Sequence, residues 1–152
     1  MSQRDVDAVL ANARALQRFA RAGAPPLLLR GKNFALMAES ADGGDAALFL
    51  AAAAEMGAQV AHLRPSLSEL STPQEVESTA RMLGRLYDAV ECQGIAPALV
   101  AQVGHDAGVP VYDALASPQH PTSRLADALG HDTSPADNRR FVLQAVLLRA
   151  VA

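Results

Sequence analysis

The stretch Glu39–Phe49, ESADGGDAALF, follows a short apolar run, FALMA at 34–38, and leads into an alanine-rich segment. A strand, a glycine turn and a helix N-terminus make an anion cradle, because free backbone N–H groups and the helix dipole both favour negative charge there. Yet this turn carries Asp42 and Asp45 and no Lys or Arg. The carboxylates support two other chemistries. Asp45 can cap the following helix, or Glu39, Asp42 and Asp45 can gather a hard cation beside the glycines. The cap needs fewer assumptions and is the preferred reading. His62, His105 and His131 are dispersed, without the spacing of metal ligands, and are assigned to the surface or to loops. Arg81 and Arg85 lie one helical turn apart, as suits helix packing and ion pairs.

The elements that must position these groups follow from periodicity. Residues 4–22 place Val6, Val9, Leu10, Ala13, Leu16 and Phe19 at helical spacing, and Gly23 with APP at 24–26 stops the helix. FALMA predicts a buried parallel strand, and 46–56 a helix ending at Gly57, apolar almost all round and therefore deeply buried or part of a subunit contact. QVAHLRP at 59–65 predicts the next strand. Thr72, Pro73 and Glu75 stand as N-cap, N1 and N3 of a helix that runs on towards Tyr87. Strands at 88–93 and 109–114 flank a helix at 96–108. PTSRLADALG and a segment opened by Ser134 and Pro135 close the chain as two helices. Strands alternating with helices predict an α/β fold, a three-layer α/β/α sandwich on a four-stranded parallel sheet, doubly wound.

The totals exclude several classes. A chain of 152 residues fits one domain, and no composition break marks a second. Half of it is apolar and 19% charged, as for a globular protein. A net charge of -3 and the absence of Trp argue against nucleic-acid binding and against attraction to anionic membranes. No apolar stretch reaches the roughly 18 residues of a membrane span, and MSQRDVDAVL lacks the basic start and apolar core of a signal peptide. The single cysteine, Cys92, excludes an internal disulfide and suits a reducing compartment, so a cytoplasmic location is expected.

Three segments, in order and suitably separated, carry a family resemblance. LRGKNFALMAES is similar to an L-x-G-K-x-x-A-L-x-x-E opening strand. STARMLGRLYDAVECQG (78–94) is similar to D-T-A-R-V-L-G-R-M-Y-D-x-I-x-x-R-G, and VPVYDALASPQHPTSRLADAL (109–129) to V-P-V-x-N-G-L-T-x-x-x-H-P-x-Q-x-L-A-D. Together they resemble the N-terminal, carbamoyl-phosphate-binding half of the ornithine/aspartate carbamoyltransferases, ornithine carbamoyltransferase above all. The resemblance runs from the first helix to about residue 130. Relatives continue into a second domain that binds the amino acid, so residues 1–152 are expected to be a stand-alone N-terminal domain without it. The helix at 135–151 would stand in for one that returns from the far C-terminus of longer relatives.

The resemblance also implies where a ligand would sit. The family's phosphate motif, S-T-R-T, falls on Asp42, Gly43, Gly44 and Asp45. An arginine that polarises the carbamoyl carbonyl falls on Gln93, and H-P-x-Q falls on His120, Pro121, Thr122 and Ser123. Only His120 keeps its side chain. A dianion without either arginine loses several charge-assisted hydrogen bonds of roughly 1.5–3 kcal/mol each. Degenerate, non-catalytic function is therefore expected, by self-association, a partner or weak ligand binding, with Asp42, Gly43, Gly44, Asp45 and His120 as ligand contacts. His120, Gln93 and Ser123 are the remnant catalytic candidates if activity survives, as in a diminished transferase half that works with a separate amino-acid-binding subunit. His120 is read first as a loop-holding residue. Cys92 is read as a buried hydrophobe, with a reactive thiol left open by its neighbour Gln93. No cofactor or metal is expected. The ligand would be a small anion or a repurposed cationic or neutral metabolite, and the assembly a homotrimer, since relatives trimerise through this domain.

Overall fold

The computed structural model describes residues 1–23 and 26–151. Ala24 and Pro25, part of the expected APP stop, and Ala152 lie outside the described residues.

Helix α1, Gln3–Arg21, starts at a capping box the periodicity did not reveal: Ser2 accepts from Asp5 N–H while the Asp5 carboxylate accepts from Ser2 N–H. Val9, Ala13 and Leu16 form its buried face. Strand β1, Asn33–Met37, leads to α2, Gly44–Glu55, then to β2, Gln59–Leu63. Helix α3, Pro73–Leu86, has Thr72 and Glu75 in reciprocal capping bonds, as predicted. Strand β3, Ala89–Cys92, helix α4, Pro97–Ala107, and strand β4, Val111–Asp113, follow. The segment Pro121–Leu129 is a helix of the 3-10 type, and α5, Pro135–Val151, opens with Ser134 Oγ accepting from Asp137 N–H.

All strand pairs are parallel, in the order β2-β1-β3-β4. The alternation of side chains along β1 and β3 divides the core in two. Phe34, Leu36 and Ala89 point into a larger core with α1, α2, α5 and the 3-10 helix; Ala35, Met37, Val90 and Cys92 point into a smaller one with α3 and α4. This is the predicted doubly wound sandwich. On the smaller side α3 and α4 meet backbone to backbone: a Cβ at Gly84 would lie 1.9 Å from the Ala107 carbonyl oxygen. On the larger side α5 is the central helix, with Phe141–Leu147 continuously buried. Helix α2 is less enclosed than its composition suggested. It buries Ala46, Phe49, Ala52 and Ala53 but leaves Ala47, Ala51 and Ala54 exposed. Among the described residues, no helix is long and apolar enough to cross a membrane.

Candidate functional site

In an open parallel sheet the crevice lies beyond the carboxyl ends of the strands, where the winding reverses. Here that point is between β1 and β3: the chain leaves β1 towards β2 through α2 on one face, then returns to β3 through α3 on the other. The exits of β1, β3 and β4 therefore build the site.

The exit of β1 is the acidic turn. Ser40 Oγ accepts the Asp42 N–H at 3.0 Å, and Gly43, extended at φ -70° and ψ 160°, is the N-cap of α2. The expected cap, Asp45, sits instead inside the first helical turn and makes no capping hydrogen bond. The reason is local: the chain already turns helical at Gly44, so the Asp45 backbone is inside the helix and its carboxylate acts only through the dipole. The first N–H groups of α2 are consequently left without a capping side chain. Glu39, Asp42 and Asp45 do not converge, and among the described residues no three His, Cys, Asp or Glu side chains form a group that could hold a metal ion.

The exit of β3 holds a group that the sequence reading passed over. Glu91 is fully buried on the side of α5. Its Oε1 accepts the Leu115 N–H and its Oε2 the Ala116 N–H, both at 2.9 Å, while Gln93 Nε2 donates to Oε2 at 3.3 Å. Burial pushes the Glu91 carboxyl up to about 7 against the pull of these donors. Cys92 points to the opposite core, where burial, then the charges of Glu91 and Asp113, raise its thiol to about 12. The alternative of a reactive, site-facing thiol is thereby corrected: strand alternation turns Cys92 away from Gln93, and the thiol stays protonated.

The exit of β4 presents the donors. Ala114 has φ +54°, a left-handed conformation unusual for a residue with a Cβ, and it aims the next two N–H groups at Glu91. Ser123 Oγ donates to the Pro118 carbonyl at 2.7 Å. His120 caps the 3-10 helix, its Nδ1 accepting from Thr122 N–H at 3.2 Å and standing 2.9 Å from Thr122 Oγ1. With Nδ1 as acceptor the proton sits on Nε2, which is left to donate. Burial, countered by Asp113 and reinforced by Arg139, holds the imidazole below its ordinary pKa, hence neutral.

Arg139, from α5, completes the arrangement. One guanidinium nitrogen donates to the Ala116 carbonyl at 2.7 Å, and among the described residues no carboxylate pairs with it. Asp45, Leu48, Ala116, Pro118, Ala136 and Arg139 line a cleft of about 230 Å³. A neighbouring cleft of about 510 Å³ includes Ser123, His131 and the same Arg139. The two clefts that share this guanidinium take in Asp45 and Ser123 respectively, and His120 lines neither but lies close enough to feel the Arg139 charge. Gln93 joins them only through Glu91, and Asp42, Gly43 and Gly44 line neither cleft. Glu91 could have been flagged as the one charge inside the strand AVEC, 89–92. Nothing in the periodicity of α5 distinguished Arg139 from Arg140, which pairs with Glu55 and Asp137.

Comparison with known proteins adds three findings. A family model described as aspartate/ornithine carbamoyltransferase, carbamoyl-P binding domain, matches residues 1–131, a span that ends before α5. The ornithine carbamoyltransferase of Haemophilus influenzae is 37% identical over 128 residues, which cover 84% of this chain and 38% of that protein. Among solved structures, the anabolic ornithine carbamoyltransferase of Campylobacter jejuni superposes with a TM-score of 0.66 at 25% identity, covering 85% of this chain and 41% of the other. That of Burkholderia thailandensis gives 0.70 at 21% identity, over 85% and 44%, a likeness of fold alone. The chain thus spans about two fifths of the length of the curated relatives it matches.

Proposed function

We infer the function from a family to which the chain belongs, that of the aspartate/ornithine carbamoyltransferases, through their carbamoyl-phosphate-binding domain. We propose that this chain is a non-catalytic binding domain for a small anion of the carbamoyl-phosphate class. The observation that carries the proposal is the position of Arg139. It offers a half-buried guanidinium without a carboxylate partner, while the turn at the head of α2 offers two carboxylates and two glycines. Arg139, the Nε2–H of His120 and the uncapped N–H groups of α2 supply hydrogen bonds to an anion; nothing in the turn supplies a second cation. One charge-assisted interaction with a few backbone donors supports binding on the order of 1 mM, too weak to hold a transition state. Calorimetry with carbamoyl phosphate should give a millimolar constant that Arg139→Ala weakens about tenfold. Carbamoyl transfer to ornithine should be absent. Turnover, alone or with an added amino-acid-binding subunit, would overturn the proposal in favour of a diminished transferase half.

The outer face of α2 favours a second role, self-association. Ala47, Ala51 and Ala54 expose an uncharged stripe beside β2, the open edge of the sheet. A homotrimer is the assembly proposed. Light scattering coupled to size-exclusion chromatography should give three times the chain mass at micromolar concentration, and a monomer there would reject it.

A further inference from the structure

We infer that Glu91 is a positioning residue for the anion cleft: its buried carboxylate fixes the turn after β4, and that turn sets where Arg139 and His120 stand. The inference rests on the anion-binding reading above. Its geometric basis is a continuous chain of bonds across β3, the turn and α5. Ala116 donates its N–H to Glu91 and accepts from Arg139 through its carbonyl, so one residue couples the carboxylate to the guanidinium. One residue further on, the Ser117 carbonyl accepts the His120 N–H at 3.1 Å. The left-handed Ala114 is a conformation that persists only where its surroundings impose it, and the two bonds to Glu91 impose it here.

A merely structural role is a poor account of this carboxylate. Two backbone donors can be met by a neutral side chain or a water, without taking a charge out of solvent at a cost of several kcal/mol. A carboxylate does what a neutral group cannot: both of its oxygens accept at once, so both N–H groups are held in one plane. Protonation turns one oxygen into a donor, leaves at most one N–H well paired and releases the turn. The surroundings place that event near neutral pH. On β4 its partner in register is Tyr112, and the Asp113 charge acts on it from the next position; Cys92 is beside it on its own strand, and its partner in register on β1 is the apolar Leu36. Arg139 and His120 reach it only through the turn.

Sulfate keeps its charge from pH 5.5 to 8.5 and serves as the probe. Amide spectra of the unliganded full chain should show Leu115 and Ala116 shifting together with a midpoint about 7. Sulfate binding should strengthen across the same range. Glu91→Gln keeps the size and loses the charge; Glu91→Asp keeps the charge and is one methylene too short to reach both amides. Both should bind sulfate about tenfold more weakly than the parent at pH 8, with a flattened pH profile for Glu91→Gln. Static amides at 115 and 116, or Glu91→Gln binding as tightly as the parent, would overturn the inference. Amides that titrate in a chain that binds no sulfate at any pH would instead overturn the anion-binding reading, and the positioning role with it. The wild-type titration stands even where a variant fails to fold.

Discussion

The two rims of the cleft are built on opposite plans. The rim after β1 is exposed, rests on one local side-chain bond from Ser40, and presents Asp42 and Asp45 at the head of a helix whose N-cap is a glycine. The rim after β4 is buried at its root and tied to β3 by Glu91, to α5 by Arg139 and to itself by His120 and Ser123. The first rim is where the family resemblance places the phosphate motif, and it carries two carboxylates and no Lys or Arg. The second presents donors, and its cation comes from a helix outside the family match. The contrast teaches that in a loop held by long-range buried bonds each change orphans a partner. A solvated turn changes without structural penalty.

The largest expected effect tests the buried rim. Glu91→Ala leaves the Leu115 and Ala116 N–H groups without an acceptor and should lower the unfolding free energy by about 2–4 kcal/mol in urea titrations at pH 7. A change below about 0.5 kcal/mol would erase the contrast between the rims.

The next effect is a pH slope. The Glu91 carboxyl rises from 4.5 to about 7 on folding, so between those values the folded chain holds a proton the unfolded chain has released. Its contribution to stability is therefore full below 4.5 and declines as pH rises through about 7, by at most about 3 kcal/mol. His120, lowered on folding by burial, slopes the other way below its ordinary 6.5. Subtracting the Glu91→Gln profile from the parent's isolates the carboxylate, and a difference that does not fall with pH would refute the assignment.

The smallest effect belongs to the exposed rim. Asp45→Asn removes a first-turn carboxylate that makes no capping bond, so stability should fall by no more than about 0.3–1 kcal/mol in the same urea titrations. Sulfate affinity should rise about twofold to fivefold as repulsion across the cleft from Arg139 disappears. Weaker binding would mean that the Asp45 carboxylate itself contributes to recognition.

The fold was legible because its signals are local. Thr72, Pro73 and Glu75 announce α3, and the short apolar runs announce buried parallel strands. The cap at Asp45 was misplaced because Gly43 and Gly44 carry no side chain that marks where helical dihedrals begin. The nine-residue segment at 121–129 was legible as a helix but not as a 3-10 one, because hydrophobic spacing in so short a segment does not separate the two types. The site was half legible. His120 and Ser123 stand in motifs that can be aligned, whereas Arg139 reaches the cleft only because α5 lies across the sheet, a placement no local pattern encodes. Glu91 was visible as a charge in a strand, but its two donors lie 24 and 25 residues further along the chain.

The pairing of α1 with α5 also bears on how the molecule comes into being. Val9, Ala13 and Leu16 join the same core as Phe141 and Val142, and Arg149 closes over Asp5 at 2.6 Å. During synthesis α1 leaves the ribosome before the whole sheet, and its partner α5 follows only after β4. Helix α1 thus waits for cover until α5 is made, and its apolar stripe stays exposed while the sheet forms. Chains made only as far as β4 consequently carry an uncovered apolar stripe, and the arrival of α5 ends that interval.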